Sequence, residues 1–446
     1  MKYSLTIIGG YGAMGIWALN FFHDNYLLDT LFDVTITGPN ETKGKKIASK
    51  FNVKFELDNI KASKTADITI ISVPIELTEK TIQEIGPHLK SNSLLLDLAS
   101  VKSPIVAAMK KYVKKDVHCI SLHPMFGPRV LGLEGRVILI VDVSGSKWKN
   151  DILDFLNKYK SHVIETDAKK HDKTLAIVQC LTHFAYISIG ATLKEMNLDI
   201  KESRNFASPI YELMLDLIGR IIGQNPKLYA DIQMYNPYAA KTHEVFLDKA
   251  NELKEAVKNK DHHKFEKIMS DAGKHFDDVE SALERSDKAI EVLNKELRHL
   301  KEALGKEIAF KHMYSGKIHY GILKDIKKDY LTLLSNKKSM NVNISNISLL
   351  DENELLDIKK EVKKTVDRDF SYVFDENLDE KILKELIYNS SRTILQTEVI
   401  DVFRGKKIPA NKKSVTIRVN FLNEDIKTQE QNVKNILVGL CGKIRQ

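Results

Sequence analysis

A glycine-rich turn near the N-terminus constrains the fold of this chain more than any other feature. Residues 5–8 form an apolar run typical of a strand, residues 10–15 read Gly-Tyr-Gly-Ala-Met-Gly, and residues 16–22 have the apolar spacing of a helix. In a G-x-G-x-x-G turn, the first glycine permits the turn and the second lets the backbone approach a pyrophosphate. The third lets the helix pack close to the strand, and the helix N-terminus favours the anion. We expect a dinucleotide site formed by Gly10, Tyr11, Gly12, Ala13, Met14 and Gly15, with an ordinary glycine-rich turn as the alternative.

Repeated apolar runs separated by helical segments continue to about residue 165. They predict a Rossmann-type, doubly wound parallel sheet, an α/β domain over residues 1–165. In such sheets, ligands bind beyond the carboxyl ends of the strands. Val73, Pro74, Ser100 and His123 all lie at predicted strand ends, so we expect one cleft to gather them, with Val73 and Pro74 beside the cofactor.

The end of the second predicted strand favours NADP over NAD. An NAD-binding fold usually has an acidic residue there, for the ribose 2′-hydroxyl. This chain has Thr37-Gly-Pro-Asn40 at the strand end instead, followed by Glu41, Thr42, Lys43, Lys45 and Lys46. A carboxylate missing from the strand end removes repulsion against a 2′-phosphate, and the hydroxyl of Thr37, the amide of Asn40 and the lysine ammonium groups could bind one. The alternative is that these lysines are simply solvated.

His123 is the candidate general base. It lies between a short apolar run and two prolines, Pro124 and Pro128, which restrict the backbone. Histidine is the side chain whose unperturbed pKa lies near neutrality. Taken alone, a histidine beside proline is equally consistent with an ordinary turn.

Composition excludes several other classes of protein. Charged residues make up 29% of the chain and hydrophobic residues 43%, which is typical of a globular protein. No apolar run approaches the roughly 20 residues of a membrane span, and the N-terminus enters a strand at once, so we expect neither a membrane protein nor a signal peptide. Three widely spaced cysteines, Cys119, Cys180 and Cys441, argue against disulfides and a cysteine-based zinc site, predict no metal and favour the cytoplasm. The formal charge of +8 is weak evidence for a nucleic-acid partner.

Beyond residue 165 the patterns change. Residues 166–308 have helical periodicity throughout and predict an all-α domain. Residues 309–355 contain short β-like runs, which predict a small, bent β-barrel-like module of SH3 or Sm type. A charged connector follows, and residues 368–446 show a β-α-β-β-α pattern, an α+β ferredoxin-like domain.

Several motifs in series resemble the prephenate dehydrogenase family, from the glycine turn to about residue 290. The matching stretches are residues 97–102, 123–128, 171–172, 179–184, 208–211, 219–220 and 225–232. The resemblance implies NAD(P)-dependent oxidative decarboxylation of prephenate to 4-hydroxyphenylpyruvate and CO2, in tyrosine biosynthesis. It also implies a homodimer formed through the helical domain, with the active site between domains.

By motif position, the resemblance gives His123 the role of general base. Ser100 would hydrogen-bond the substrate or orient His123, and Arg220 would bind a substrate carboxylate as a bidentate partner. His183 and Gln179 would be substrate contacts, with His171 a supporting polar contact. The same motifs are compatible with arogenate, or with both substrates, and the sequence does not separate these alternatives.

The last 80 residues or so resemble the ferredoxin-fold anticodon-binding domain that ends the β chain of phenylalanyl-tRNA synthetase. One interpretation is tRNA or RNA binding through Arg404, Lys406, Lys407, Lys412 and Lys413. The other is a regulatory or assembly domain, and sensing of an aromatic amino acid is a further alternative for it. Acidic residues nearly balance basic ones here, which favours regulation or assembly. For the whole chain, the non-enzymatic alternative is an RNA-binding regulator on a dehydrogenase scaffold.

Overall fold

The computed structural model describes residues 2–145, 147–327, 330–405 and 408–444. The chain divides into two compact units, Met1–Ile290 and Glu291–Gln446. Each unit has its own hydrophobic cores, so each is described separately.

The first unit begins with an eight-stranded sheet of order β3-β2-β1-β4-β5-β6-β7-β8. Every neighbouring pair is parallel except β6–β7, which is antiparallel. The predicted doubly wound sheet is confirmed, and the reversal at β7 is an addition that the apolar pattern did not reveal. The strands are β1 Tyr3–Ile8, β2 Phe32–Thr37, β3 Lys54–Glu56, β4 Ile68–Ile71, β5 Leu94–Asp97, β6 His118–Pro124, β7 Val137–Asp142 and β8 His162–Glu165.

Helices cover both faces of this sheet and form a separate core on each. Because the central strands are buried on both faces, they are apolar along their whole length rather than alternating. The helices are α1 Ala13–Asp24, α2 Leu27–Thr30, α3 Glu41–Phe51, α4 Asn59–Ser63, α5 Ile75–Ile85, α6 Ser103–Tyr112 and α7 Trp148–Lys158, with a 3₁₀ turn at Gly86–His88.

The rest of the first unit is helical, as the periodicity predicted. Asp167, Ser208 and Asn225 accept backbone N–H groups as N-caps of three of its helices. The helices are α8 Ala168–Leu175, α9 Thr182–Glu195, α10 Ile200–Ser203, α11 Pro209–Ile222, α12 Pro226–Tyr235, α13 Ala239–Lys258 and α14 His262–His275, with a π-helix at Ala176–Leu181 and a 3₁₀ turn at Arg204–Phe206. A further helix, α15 Val279–Glu302, begins in the first unit and ends in the second.

The helix α8, the π-helix and α9 form one continuous stretch, Ala168–Glu195. Its most apolar window has a mean hydropathy of 1.4, and 17% of that window is buried. By length and composition alone, it is the one helix in the described ranges that is suited to cross a membrane. Core helices of globular proteins pass the same test, but the expectation that no apolar run approaches that length was wrong.

The second unit contains a five-stranded antiparallel sheet of order β12-β11-β10-β9-β13. Its strands are β9 Glu307–His312, β10 Ile318–Ile326, β11 Tyr330–Ser335, β12 Lys338–Asn343 and β13 Ile347–Leu349, with a 3₁₀ turn at Ile344–Asn346. Phe310, Leu323, Leu331 and Leu333 are fully buried at its centre. A bulge in β10 between Leu323 and Asp325 fits the strong bending that the sequence predicted for this module.

The chain ends in a ferredoxin-like domain whose antiparallel sheet has the order β15-β16-β14-β17. A capping box formed by Asp351 and Glu354 starts the helix that leads into it. The elements are α16 Glu352–Val362, β14 Thr365–Asp375, α17 Glu380–Asn389, β15 Ile394–Phe403, β16 Lys412–Leu422, α18 Ile426–Gly439 and β17 Lys443–Ile444. Within the described residues, the final strand, β17, has two residues.

Candidate active site

The glycine turn between β1 and α1 leaves a helix N-terminus open. Gly9 has a φ of +79°, and the backbone N–H groups of Gly9 and Gly10 both donate to the Thr37 carbonyl. Residue 9, which precedes the motif, therefore makes the left-handed turn that the sequence analysis assigned to Gly10. A Cβ on Gly15 would lie 2.6 Å from the carbonyl oxygen of Gly10, which supports the predicted close packing of helix on strand. The first N–H groups of α1, on Ala13 to Gly15, are available to an anion.

The end of β2 differs from the expectation in one respect. Thr37 is fully buried, and its hydroxyl donates to Asn59 at 2.7 Å. Its side chain therefore cannot reach a cofactor, which corrects the predicted role of Thr37. The Asn40 side chain caps α3 by accepting the Lys43 N–H, and its backbone N–H donates to the Tyr11 hydroxyl at 2.6 Å. The Tyr11 ring covers Gly38 so closely that a Cβ there would lie 2.3 Å from it.

The other strand ends bring the predicted residues to the same edge of the sheet. Val73 follows β4, and its side chain would lie 3.0 Å from a Cβ placed on Gly9, so it is adjacent to the glycine turn. Pro74 is the N-cap residue of α5. Ser100 follows β5, and His123 lies on β6, the next strand of the sheet. The Ser100 hydroxyl makes no hydrogen bond within the described residues, so it does not orient His123 in this structure; its predicted contact with substrate stays a prediction.

His123 is joined to a second histidine and a carboxylate. Its Nδ1 atom lies 2.9 Å from Nε2 of His171, and Nδ1 of His171 lies 2.8 Å from Oδ1 of Asp172. All three residues are buried. Since both nitrogens of His171 are occupied within the protein, it does not contact substrate directly, which agrees with a supporting role. It holds the candidate base instead.

Asp172 is fixed by the start of α6. Its Oδ1 accepts the backbone N–H of Lys102 at 2.8 Å, and its Oδ2 accepts that of Ser103 at 2.7 Å. Burial alone would raise the pKa of Asp172, but hydrogen bonds from His171 and Ser103 outweigh it and lower the pKa below its usual value. Asp172 is therefore a carboxylate at neutral pH.

Lys102 forms a buried ion pair beneath this chain of groups. Its ammonium donates to Asp97 at 2.8 Å and to the carbonyl of Leu122, the residue before His123, at 2.7 Å. Both charged side chains are completely buried. The Asp97 carboxylate also accepts the hydroxyl of Ser121 on β6. The ion pair thus fixes the backbone of the strand that carries His123.

Burial and nearby charge keep His123 neutral. Burial is the largest cause that lowers its pKa well below the usual 6.5, and the positive charge of Lys102 lowers it further. The pKa of His171 is also lowered, mainly by burial, although Asp172 opposes that shift. A neutral imidazole is the form that can accept a proton.

A second group of polar residues lies on the helices. Gln179 lies in the π-helix and His183 in the first turns of α9. Oε1 of Gln179 and Nδ1 of His183 are buried without a partner among the described residues, an arrangement expected where a ligand supplies the partner. Burial lowers the pKa of His183 to about 4, so this ring is neutral too. π-Helical turns are frequent at functional sites.

Arg220 lies near the end of α11 and is exposed, with no ion pair of its side chain among the described residues. Its charge opposes the burial-driven rise in the pKa of Tyr229. The Tyr229 ring in turn lies 4.4 Å, centroid to centroid, from His183. His183 and Tyr229 are therefore in contact, and the positive charge of Arg220 acts on the Tyr229 phenol.

Three functional residues were missed by the sequence analysis. Asp172 and Lys102 each stood within a matched stretch, residues 171–172 and 97–102, but neither was given a role. Tyr229 lay within the matched stretch 225–232, which was used only to recognise the family. An aspartate directly after a candidate histidine was the available signal for Asp172, while nothing local marked Tyr229.

The sheet, the open helix N-terminus and the neutral buried imidazole at the strand ends define a nucleotide-dependent dehydrogenase. Residues 25–165 match the family model of the prephenate dehydrogenase nucleotide-binding domain, and residues 167–271 match that of its dimerization domain. The chain is 42% identical to a probable arogenate/prephenate dehydrogenase of Methanocaldococcus jannaschii, over 99% of this chain and 98% of that protein. The chain belongs to the prephenate dehydrogenase family and is an oxidoreductase.

Other similarities agree with this assignment. A T-protein of Haemophilus influenzae is 35% identical over 38% of this chain and 44% of its own length. A crystal structure of Aquifex aeolicus prephenate dehydrogenase, with hydroxyphenyl propionate and NAD+, aligns with a TM-score of 0.50 and 18% identity over 61% of this chain and 96% of that one. At that identity the alignment shows a shared fold. Residues 363–446 match the family model of the ferredoxin-fold anticodon binding domain.

Proposed function

We propose that the protein oxidises prephenate to 4-hydroxyphenylpyruvate and CO2, with hydride transfer to NADP+. Membership of the family supports the reaction class, and the observation that carries the proposal is the buried, neutral His123 held at the end of β6. The substrate hydroxyl must lose a proton as its carbon loses hydride. A neutral imidazole with one bonded and one open nitrogen suits that task.

The cofactor site fits a nicotinamide dinucleotide. The backbones of Gly10 and Gly15 lie too close together for a side chain at position 15. The N–H groups at the start of α1 suit a pyrophosphate. When bound, the nicotinamide accepts the hydride. The sequence at the end of β2 supports NADP. Gly38 follows this strand where an NAD-binding fold usually has an acidic residue, which would repel a 2′-phosphate. Two yeast relatives that match about half of this chain are named as NADP+-dependent prephenate dehydrogenases, one of them as a probable one.

The substrate's two carboxylates need cationic or hydrogen-bonding partners. Arg220 offers the planar fork that suits a carboxylate, and it has no protein partner among the described residues. His183 and Gln179 each bring a buried polar atom that a ligand would satisfy. Release of CO2 and formation of an aromatic ring make the reaction effectively irreversible, so positioning and proton removal are the main tasks of the protein.

Arogenate is the alternative substrate, and one observation favours it. Arogenate carries an amino group where prephenate carries a keto group. The unpartnered Oε1 of Gln179 is an acceptor that would suit an ammonium, whereas its amide nitrogen would suit a keto oxygen. The decisive experiment follows absorbance at 340 nm with prephenate and arogenate, each offered NAD+ and NADP+. The proposal requires prephenate with NADP+ to have the highest kcat/KM of the four pairs.

We also propose a cytoplasmic homodimer that forms through the helical domain. The matched dimerization domain supports the dimer, as do large exposed apolar side chains on and around α9 to α11, such as Met196, Phe206 and Ile210. The cytoplasmic assignment rests on the free thiols of Cys119, Cys180 and Cys441. Gel filtration with light scattering, which measures the molar mass of the wild type and of Phe206→Asp, tests the dimer. The wild type should have the mass of a dimer, and the variant a lower mass. A monomeric wild type would contradict it.

For the ferredoxin-like domain we propose regulation or assembly rather than RNA binding. The cations considered for RNA are already paired, Arg404 with Glu376, Lys412 with Asp375 and Lys413 with Glu380. Lys406 and Lys407 lie outside the described residues. A filter-binding titration with total tRNA across salt concentrations tests this proposal. Salt-sensitive tRNA binding at micromolar protein concentration would overturn it. A separate titration with tyrosine or phenylalanine shows whether an aromatic amino acid acts as an effector.

A further inference from the structure

The hydrogen bonds around His123 determine which of its nitrogens carries a proton. Asp172 is a buried carboxylate and can only accept hydrogen bonds. Nδ1 of His171, which lies 2.8 Å from it, must therefore carry a proton and donate. Because a neutral imidazole has one N–H, Nε2 of His171 is then an acceptor.

The same reasoning passes to the next ring. Nδ1 of His123 lies 2.9 Å from the accepting Nε2 of His171, so Nδ1 of His123 must donate. Nε2 of a neutral His123 then has no proton and keeps a free lone pair. That atom makes no hydrogen bond within the described part of the chain.

We propose that Asp172 and His171 are positioning residues that set the tautomer of His123, so that its Nε2 accepts the substrate hydroxyl proton. This inference rests on the proposed dehydrogenase reaction and identifies the atom and the groups behind it. In the step, the hydroxyl O–H bond breaks, its proton bonds to Nε2 of His123, and the electron pair left on oxygen forms the new C=O bond. The hydride leaves that carbon for the nicotinamide.

The pair also stabilises the product of proton transfer. Protonated His123 carries a positive charge that the Asp172 carboxylate attracts through His171. The arrangement has the logic of a Ser-His-Asp triad, in which the carboxylate holds an imidazole in one tautomer and stabilises the imidazolium. Here a second imidazole stands between the carboxylate and the base.

Asp172→Asn is the direct test, because it keeps the shape of the side chain and removes the obligatory acceptor. Both oxygens of Asp172 accept hydrogen bonds, one from the Ser103 N–H and the other from His171. An asparagine has only one accepting oxygen, so its NH2 group would face one of these two donors. We expect kcat to fall by about 10²–10⁴-fold while KM for substrate and cofactor changes little. His171→Leu should give the same split, since it leaves the Asp172 bonds to the start of α6 intact.

A matched control separates this role from general destabilisation. Asp67 is a partly buried carboxylate that accepts Ser4 N–H and pairs with Lys90, at the opposite end of the β1 and β4 strands. Asp67→Asn should lower the thermal midpoint without changing kcat. If Asp172→Asn and His171→Leu fold and keep near-normal kcat, the inference is wrong.

A spectroscopic measurement reports on the tautomer without turnover. Long-range ¹H–¹⁵N correlation of histidine-labelled wild type, assigned with His123→Asn and His171→Leu, should show both rings protonated at Nδ1. Protonation of His123 at Nε2 would overturn the inference even if the wild type is active. A wild type inactive with both substrates would refute the proposed function alone, because the tautomer would still be read from the spectrum.

Discussion

The ammonium of Lys102 and the carboxylate of Asp97 form an ion pair 2.8 Å long with no exposure of either side chain. The same ammonium donates to the carbonyl that precedes His123. A buried charge that loses its partner is expensive, whereas replacing both charges together is often nearly neutral. The pair therefore couples the stability of the domain to the placement of the base.

Removing one partner of this pair should be costly. Lys102→Met should lower the free energy of unfolding by about 3–5 kcal/mol, because it leaves the Asp97 charge buried and unpaired. Adding Asp97→Asn should recover part of that loss. Denaturant titration measures each value, with the exposed pair Lys54–Asp33 as control, where Lys54→Met should cost no more than about 1 kcal/mol. An equal cost at both sites would contradict this account.

The activity should persist at unusually low pH. The pKa of His123 lies well below 6.5, mainly because of burial, so the ring stays neutral as the pH falls through 6.5. The acid limb of kcat/KM should therefore lie below pH 6.5. In Lys102→Met, which removes the second cause of the shift, the limb should move to higher pH. A wild-type limb at pH 6.5 or above would show that His123 titrates as an exposed histidine.

Arg220 should act on binding more than on chemistry. Arg220→Gln removes the bidentate partner of a substrate carboxylate, so KM should rise by about 10–100-fold with a smaller change in kcat. Steady-state kinetics measure both. Arg285→Gln, at an exposed arginine paired with Asp278, is the control and should leave KM unchanged. Unaltered KM in Arg220→Gln would remove this residue from the substrate site.

The glycine turn should tolerate no side chain at position 15. In Gly15→Ala the new Cβ would lie 2.6 Å from the Gly10 carbonyl oxygen, so α1 must move away from the turn that binds the cofactor. We expect the Kd for NADP+ to rise at least about tenfold, as measured by calorimetry. Gly132→Ala adds a Cβ with nothing within 4 Å and should bind NADP+ normally. Equal affinities would mean that the turn adapts.

Local patterns were sufficient to predict the sheet, the glycine turn and the position of His123 at a strand end. Each of these depends on residues that are adjacent in sequence. The His123–His171 contact joins residues 48 positions apart, and the two imidazoles meet only because α8 packs beside α6. Sequence alone offered no measure of that distance, so His171 was described as a supporting contact without the group that it supports.

The remaining differences have similar causes. The left-handed residue is Gly9 because the turn begins at the end of β1, one position before the recognisable motif. Thr37 has the polarity of a ligand, but Asn59 lies close enough to take its hydroxyl. The antiparallel β7 is as apolar as its parallel neighbours, and the direction of a strand leaves no mark in such a run.

The most direct test of this account is absorbance at 340 nm with prephenate and NADP+, for the wild type and for His123→Asn. The account predicts steady reduction of NADP+ by the wild type with release of one CO2 per turnover. It also predicts that kcat falls by about 10²–10⁴-fold in His123→Asn, with little change in KM. No reduction by the wild type with prephenate or arogenate and either cofactor, or near-normal kcat without the imidazole, would contradict it.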